Sequence, residues 1–154
     1  HHWIAIEKRF ERSFEIWLKR KLAVPSLENN ITVICGDVHR VLDALPNNAI
    51  DKVFINFPDP PASYDDVEHT SFVNSTLMKK VQKALVNEGT FVVLTDDRVL
   101  HGEFKAMIES LVSNNLAQEL KTADEHVDTD TQSFFENLWR RKGRNERFVI
   151  GFKK

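Results

Sequence analysis

Three apolar runs of this sequence give way to an acid: Ile4-Ala5-Ile6 to Glu7, Ile31 to Cys35 to Gly36-Asp37, and Val53 to Phe57 to Pro58-Asp59. A fourth, Phe91 to Leu94, gives way to Thr95-Asp96-Asp97. Carboxylates are natural acceptors for the hydroxyls of a ribose and for the amine of a base, so acids gathered at one edge of a sheet suit a nucleoside. Each acid also has a plainer use. Asp37 can cap the helix that follows it, and Glu7 can pair with Lys8 or Arg9. Asn56-Phe57-Pro58-Asp59-Pro60 is the most specific of the set, because prolines on both sides of an acid fix the backbone and hold the carboxylate in one place.

The elements that must position these acids alternate in type. Trp3 to Glu7 reads as a buried strand and runs into a helix from about Lys8 to Leu22, with Phe10, Phe14, Trp17 and Leu18 on one face. Ile31 to Cys35 is a second strand, and Val38, Val41, Leu42 and Leu45 give helical spacing up to Pro46. Lys52 to Phe57 is a third strand, stopped by prolines that a central ladder excludes. A helix over 71–86 follows, burying Phe72, Leu77, Val81 and Leu85, and Asn87-Glu88-Gly89 leads into a strand from Thr90 to Thr95. A helix from about Val99 to Val112, a strand near Leu116 to Leu120, an acidic loop, a helical turn around Phe134 to Arg140 and a strand from Arg147 to Phe152 complete the chain. Strands alternating with amphipathic helices predict an α/β, Rossmann-like and mostly parallel sheet, closed by an antiparallel C-terminal hairpin. Such a sheet binds its ligand outside the carboxyl ends of its strands, where these acids lie.

Composition bounds the rest. The 154 residues are 42% hydrophobic and 29% charged, as in one soluble domain over 1–154. A formal charge of -2 offers no general attraction to a polyanion, so nucleic-acid binding requires a local basic face. Arg140, Arg141, Lys142, Arg144 and Arg147 form the densest one, with a solvated charged surface as the plainer reading. Cys35, the one cysteine, reads as core packing and fits a reducing compartment, cytoplasmic or nuclear. No apolar stretch reaches membrane-spanning length, and the histidines lack ligand spacing, so neither membrane nor metal is expected.

Taken in order, these motifs resemble the S-adenosylmethionine-dependent tRNA (guanine-N7)-methyltransferases. Phe57-Pro58-Asp59-Pro60 after an apolar strand is similar to their signature. Ile4-Ala5-Ile6-Glu7 resembles their second-strand motif, Gly36-Asp37 their third-strand acid, and Leu94-Thr95-Asp96 the Thr-Asp that faces the substrate. Ser133-Phe134-Phe135-Glu136 with Gly143 is similar to their late Thr-x-Phe-Glu segment. The resemblance implies S-adenosylmethionine as cofactor and tRNA as partner, with a non-catalytic protein subunit left open. It further implies Glu7 at the cofactor ribose, Asp37 near the adenine and Asp59 at the reacting centre. Asp96, or Asp97 in its place, would face the guanosine with Ser133 and Glu136, and Arg140, Arg141 and Arg144 would meet phosphates. Phe134, Phe135 and Trp139 are candidate stacking platforms, with core packing as the alternative.

Two departures stand out. The family's aspartate-proline pair precedes a tryptophan and a basic run, whereas here Pro61-Ala62-Ser63-Tyr64-Asp65-Asp66 follows, which weakens phosphate contact. The family's first strand and glycine-rich turn would lie before His1, so the sheet is expected to be divided and the chain on its own to bind the cofactor poorly. The rival readings are a methyltransferase acting on another RNA or a small molecule, and a catalytically silent paralogue that serves as a binding subunit.

Overall fold

The computed structural model describes residues 2–22, 29–58, 74–119, 141–143 and 148–154. The chain divides into two compact units, His1–Leu45 and Pro46–Lys154, each with its own sheet. Pairing within both is parallel except around the last strand, so the α/β, Rossmann-like expectation holds.

The first unit contains β1 (Trp3–Glu7), α1 (Phe10–Leu22), β2 (Ile31–Cys35) and α2 (Val38–Ala44). β1 and β2 pair in parallel from Trp3↔Ile31 to Glu7↔Cys35, and Gly36 N–H continues the ladder to the Glu7 carbonyl at 3.0 Å. Burial is sparse here. Among the described residues only Leu42 and Ser13 are buried, while Trp3, Ile4, Phe10, Phe14, Trp17, Leu18 and Leu22 are exposed. The expected buried strand Trp3 to Glu7 is therefore half-covered, and Cys35, expected in the core, is exposed. The physical reason is size: a two-stranded sheet with two helices has too few apolar contacts to cover its own side chains. The aromatic face of α1 stacks on itself instead, with Phe10–Phe14 centroids at 6.3 Å and Phe14–Trp17 at 5.6 Å.

The second unit contains β3 (Ile50–Asn56), α3 (Ser75–Ala84), β4 (Leu85–Thr95), α4 (Arg98–Ser113), β5 (Gln118–Glu119) and β6 (Phe148–Lys153). Its strand order is β3-β4-β6-β5, with β3 and β4 parallel and β6 antiparallel to both of its neighbours. Asn74 caps α3 by accepting from Leu77 N–H at 3.0 Å, and the helix buries Leu77, Met78, Val81 and Ala84. Leu100, Phe104 and Ile108, one turn apart, are the buried stripe of α4. β4 is buried from Phe91 to Leu94, its side chains alternating between the two faces of the sheet, and β6 adds Ile150 and Phe152. Phe91 and Phe152 are register partners with ring centroids 5.3 Å apart, a cross-strand aromatic pair worth about 0.5–1.5 kcal/mol beyond its area burial.

Boundaries differ from the sequence reading at one place that matters. β4 begins at Leu85, five residues earlier than expected, because Leu85 turns extended directly after α3 and pairs with Ile50 across an irregular step. Glu88, at φ 68°, makes the bend that the sequence reading assigned to a turn, and Gly89 fits there because a Cβ would stand 2.8 Å from the Val86 carbonyl oxygen. The expected helical turn at Phe134 to Arg140 lies outside the described residues.

Candidate active site

Within the first unit, parallel pairing brings Glu7 and Asp37 to the same edge, since Glu7 is the register partner of Cys35. Glu7 Oε1 accepts from Arg9 N–H at 2.8 Å, which closes the turn from β1 into α1. Ser13, buried inside α1, donates its hydroxyl toward the Glu7 carbonyl at 3.1 Å and the Arg9 carbonyl at 2.9 Å, and so ties the helix to the strand end. Asp37 is the N-cap of α2: Oδ1 accepts from His39 N–H at 2.9 Å and from Arg40 N–H at 3.2 Å. The plainer reading of Asp37 is therefore correct as far as it goes. Only one oxygen of each acid is used in this way. Glu7 Oε2 and Asp37 Oδ2, both on half-buried residues, have no hydrogen-bond partner among the described residues, which leaves each an acceptor held in place by the bonds of its neighbour.

In the second unit, the ends of β3 and β4 also lie side by side, with Asn56↔Leu94 in register and Phe57 N–H donating to the Leu94 carbonyl at 2.7 Å. Phe57 has φ 50°, in the left-handed region that costs a non-glycine residue roughly 1 kcal/mol or more. The backbone thus turns sharply where the Pro58-Asp59-Pro60 motif begins. Asp59 itself lies outside the described residues, as do Ser133, Glu136, Arg140 and Arg144. Arg141 is described and exposed, and Gly143 beside it takes φ 77°.

The two acids that close β4 separate cleanly. Asp97 is the N-cap of α4, its Oδ1 accepting from Leu100 N–H at 2.7 Å, and its own N–H donates to the fully buried Thr95 hydroxyl at 3.1 Å. Asp96 stands before the cap, half-buried, between Thr95 and that turn. Of the pair, Asp97 is the one whose carboxylate caps the helix. Sequence reading passed over Ser13. A serine six residues after the acid, on the inward side of a helix, was the available signal.

Among the described residues no group of three or more histidine, cysteine or acidic side chains is placed to hold a metal ion, and no helix is long and apolar enough to cross a membrane.

Residues 1–148 match the family model described as "Putative methyltransferase". A tRNA (guanine-N(7)-)-methyltransferase of Chlamydia pneumoniae is 29% identical over 146 residues, spanning 92% of this chain and 61% of that protein. One from Chlamydia caviae is 32% identical over 145 residues, with the same spans. The chain thus covers 61% of the length of these curated relatives. Among solved structures, a SAM-dependent O-methyltransferase from Thermotoga maritima superposes with a TM-score of 0.55 at 16% identity, covering 98% of this chain and 49% of that one, a likeness of fold. With nearly its whole length matched by the family model, this chain belongs to that methyltransferase family.

Proposed function

We propose that the protein containing this chain methylates guanine N7 in tRNA with S-adenosylmethionine as donor. The observation that carries the reading is the alignment of 92% of the chain with relatives that bear that activity in their names. The strand ends add chemical support. Glu7 and Asp37 present one uncommitted carboxylate oxygen each at one edge, a fit to the ribose hydroxyls and adenine amine of a nucleoside cofactor. When bound, that cofactor supplies an electrophilic methyl on a sulfonium.

The chain's own task is then positioning. Guanine N7 carries an in-plane lone pair, so no side chain has to remove a proton before attack. Asp59, entered through the left-handed turn at Phe57, holds the reacting centre, and its negative charge suits a cationic donor. Asp96, with Ser133 and Glu136, accepts from the N–H groups on the Watson-Crick edge of guanine as positive charge builds on the ring. Arg140, Arg141 and Arg144 meet the phosphates.

The acidic stretch from Tyr64 to Glu68 favours a second reading, a different RNA or a small molecule as acceptor. Transfer of labelled methyl from the cofactor to total tRNA by the full-length protein separates the two. Recovery of 7-methylguanosine after nuclease digestion is the expected result. A full-length protein that binds the cofactor yet transfers no label to tRNA would remove the tRNA assignment.

A further inference from the structure

We propose that Ser13 is a positioning residue for the cofactor: by fixing the backbone carbonyl of Glu7 it sets how the Glu7 carboxylate meets the ribose, an inference that rests on the reading of Glu7 given above. Ser13 is 4% exposed, on a helix whose large apolar side chains Phe10, Phe14, Trp17 and Leu18 are all exposed. A buried hydroxyl costs stability unless it is bonded, so a serine turned inward here needs a partner. Its oxygen lies 2.9 Å from the Arg9 carbonyl and 3.1 Å from the Glu7 carbonyl, and its one proton serves both. The first contact, four residues back along the chain, is one that many helical serines make. The second is not, because Glu7 belongs to β1 and precedes the first residue of α1.

The Glu7 carbonyl is also the joint between the two acids. It accepts both the Ser13 hydroxyl and Gly36 N–H, the latter at 3.0 Å, which uses its two lone pairs. Gly36 immediately precedes Asp37, so this oxygen links the strand end that carries the first acid to the residue beside the second. The Glu7 side chain is held in turn by Arg9 N–H at 2.8 Å, and the Arg9 carbonyl accepts from the Ser13 hydroxyl and from Ser13 N–H, the latter at 3.0 Å. Backbone and carboxylate of Glu7 are thus steadied by a closed set of bonds, and removing the Ser13 hydroxyl opens it. In a unit with so few buried apolar side chains, little else opposes movement of that strand end.

The test is the S-adenosylmethionine affinity of the full-length protein, measured by calorimetry for the wild type, Ser13→Ala, Glu7→Gln and the double variant. Ser13→Ala is expected to weaken binding about tenfold, and to raise KM for the cofactor by more than it lowers kcat. Ser13→Cys, similar in size but a weak donor, should follow it, whereas Ser13→Thr, which keeps the hydroxyl, should stay within about threefold of wild type. Glu7→Gln keeps an acceptor for Arg9 N–H and replaces the oxygen left for the ribose. In that background Ser13→Ala should add less than about twofold, because the group through which it acts is gone. Wild-type affinity in Ser13→Ala and Ser13→Cys, with Glu7→Gln weakened, would overturn the proposal and leave the role of Glu7 standing. Equal losses from Ser13→Ala with and without the Glu7 carboxylate, the mark of general loosening, would overturn it too. Glu7→Gln binding as tightly as the wild type would sink the reading of Glu7 and this inference with it.

Discussion

Residues His1–Leu45 and Pro46–Lys154 repeat one device, a strand that ends in an acid and hands over to a helix capped by that acid or its neighbour. They support it by different means. In the second unit the device rests on a packed core: β4 is buried from Phe91 to Thr95, with Leu100, Phe104 and Phe152 closed against it. In the first, the apolar side chains of α1 are largely exposed, and the strand end is held by the Ser13 hydroxyl, the Asp37 cap and the Glu7 bond to Arg9 N–H. Burial of a large apolar side chain contributes about 1.5–3 kcal/mol and a typical hydrogen bond about 1, so the first unit's geometry is the more weakly fixed of the two. Its acids are well aimed locally and poorly insured against opening.

The comparison can be broken by experiment, most directly in the core. Phe104→Ala is expected to cost about 3–5 kcal/mol in chemical denaturation, through the cavity left among fully buried neighbours, whereas Phe14→Ala, at an exposed site, should stay within about 0.5 kcal/mol. Comparable losses would mean that Phe14 contributes as much to stability as a fully buried side chain does. Gly89→Ala comes next, at about 2 kcal/mol, because the new methyl would press on the carbonyl oxygens of Val86 and Asp51 at 2.8 and 3.1 Å. Ser13→Ala should cost about 1 kcal/mol, and hydrogen exchange should quicken in β1 and α1 while β4 and β6 keep their protection. Equal exchange in all four elements would remove the distinction. The smallest stability change belongs to Asp37→Asn, which keeps a capping oxygen and should shift stability by a few tenths of a kcal/mol, against about 1 for Asp37→Ala. If Asp37 also holds the cofactor, the asparagine variant of the full-length protein will lose cofactor affinity all the same, and unchanged affinity would confine Asp37 to capping.

Much of this was legible in the residues. Alternation of apolar runs with helical stripes located each described strand and helix, and the prolines after Phe57 marked the end of β3. Periodicity reports that a face is apolar without saying what covers it, which is why Trp3 and Cys35 read as buried and are not. The start of β4 was missed because Asn87-Glu88-Gly89 carries turn chemistry, and the bend it makes is absorbed inside a strand. Phe57 gave no local sign of its left-handed backbone, since phenylalanine has no preference for it. Which of Asp96 and Asp97 caps α4 needed coordinates, because either could do so from sequence alone.

The acids that start helices have an evolutionary consequence. At Asp37 selection for a stable turn acts on the same carboxylate that the proposed cofactor would use, and at Glu7 the turn into α1 makes a similar demand. A descendant that abandoned the reaction would still be under pressure to keep these side chains, and would go on looking like an enzyme at those positions.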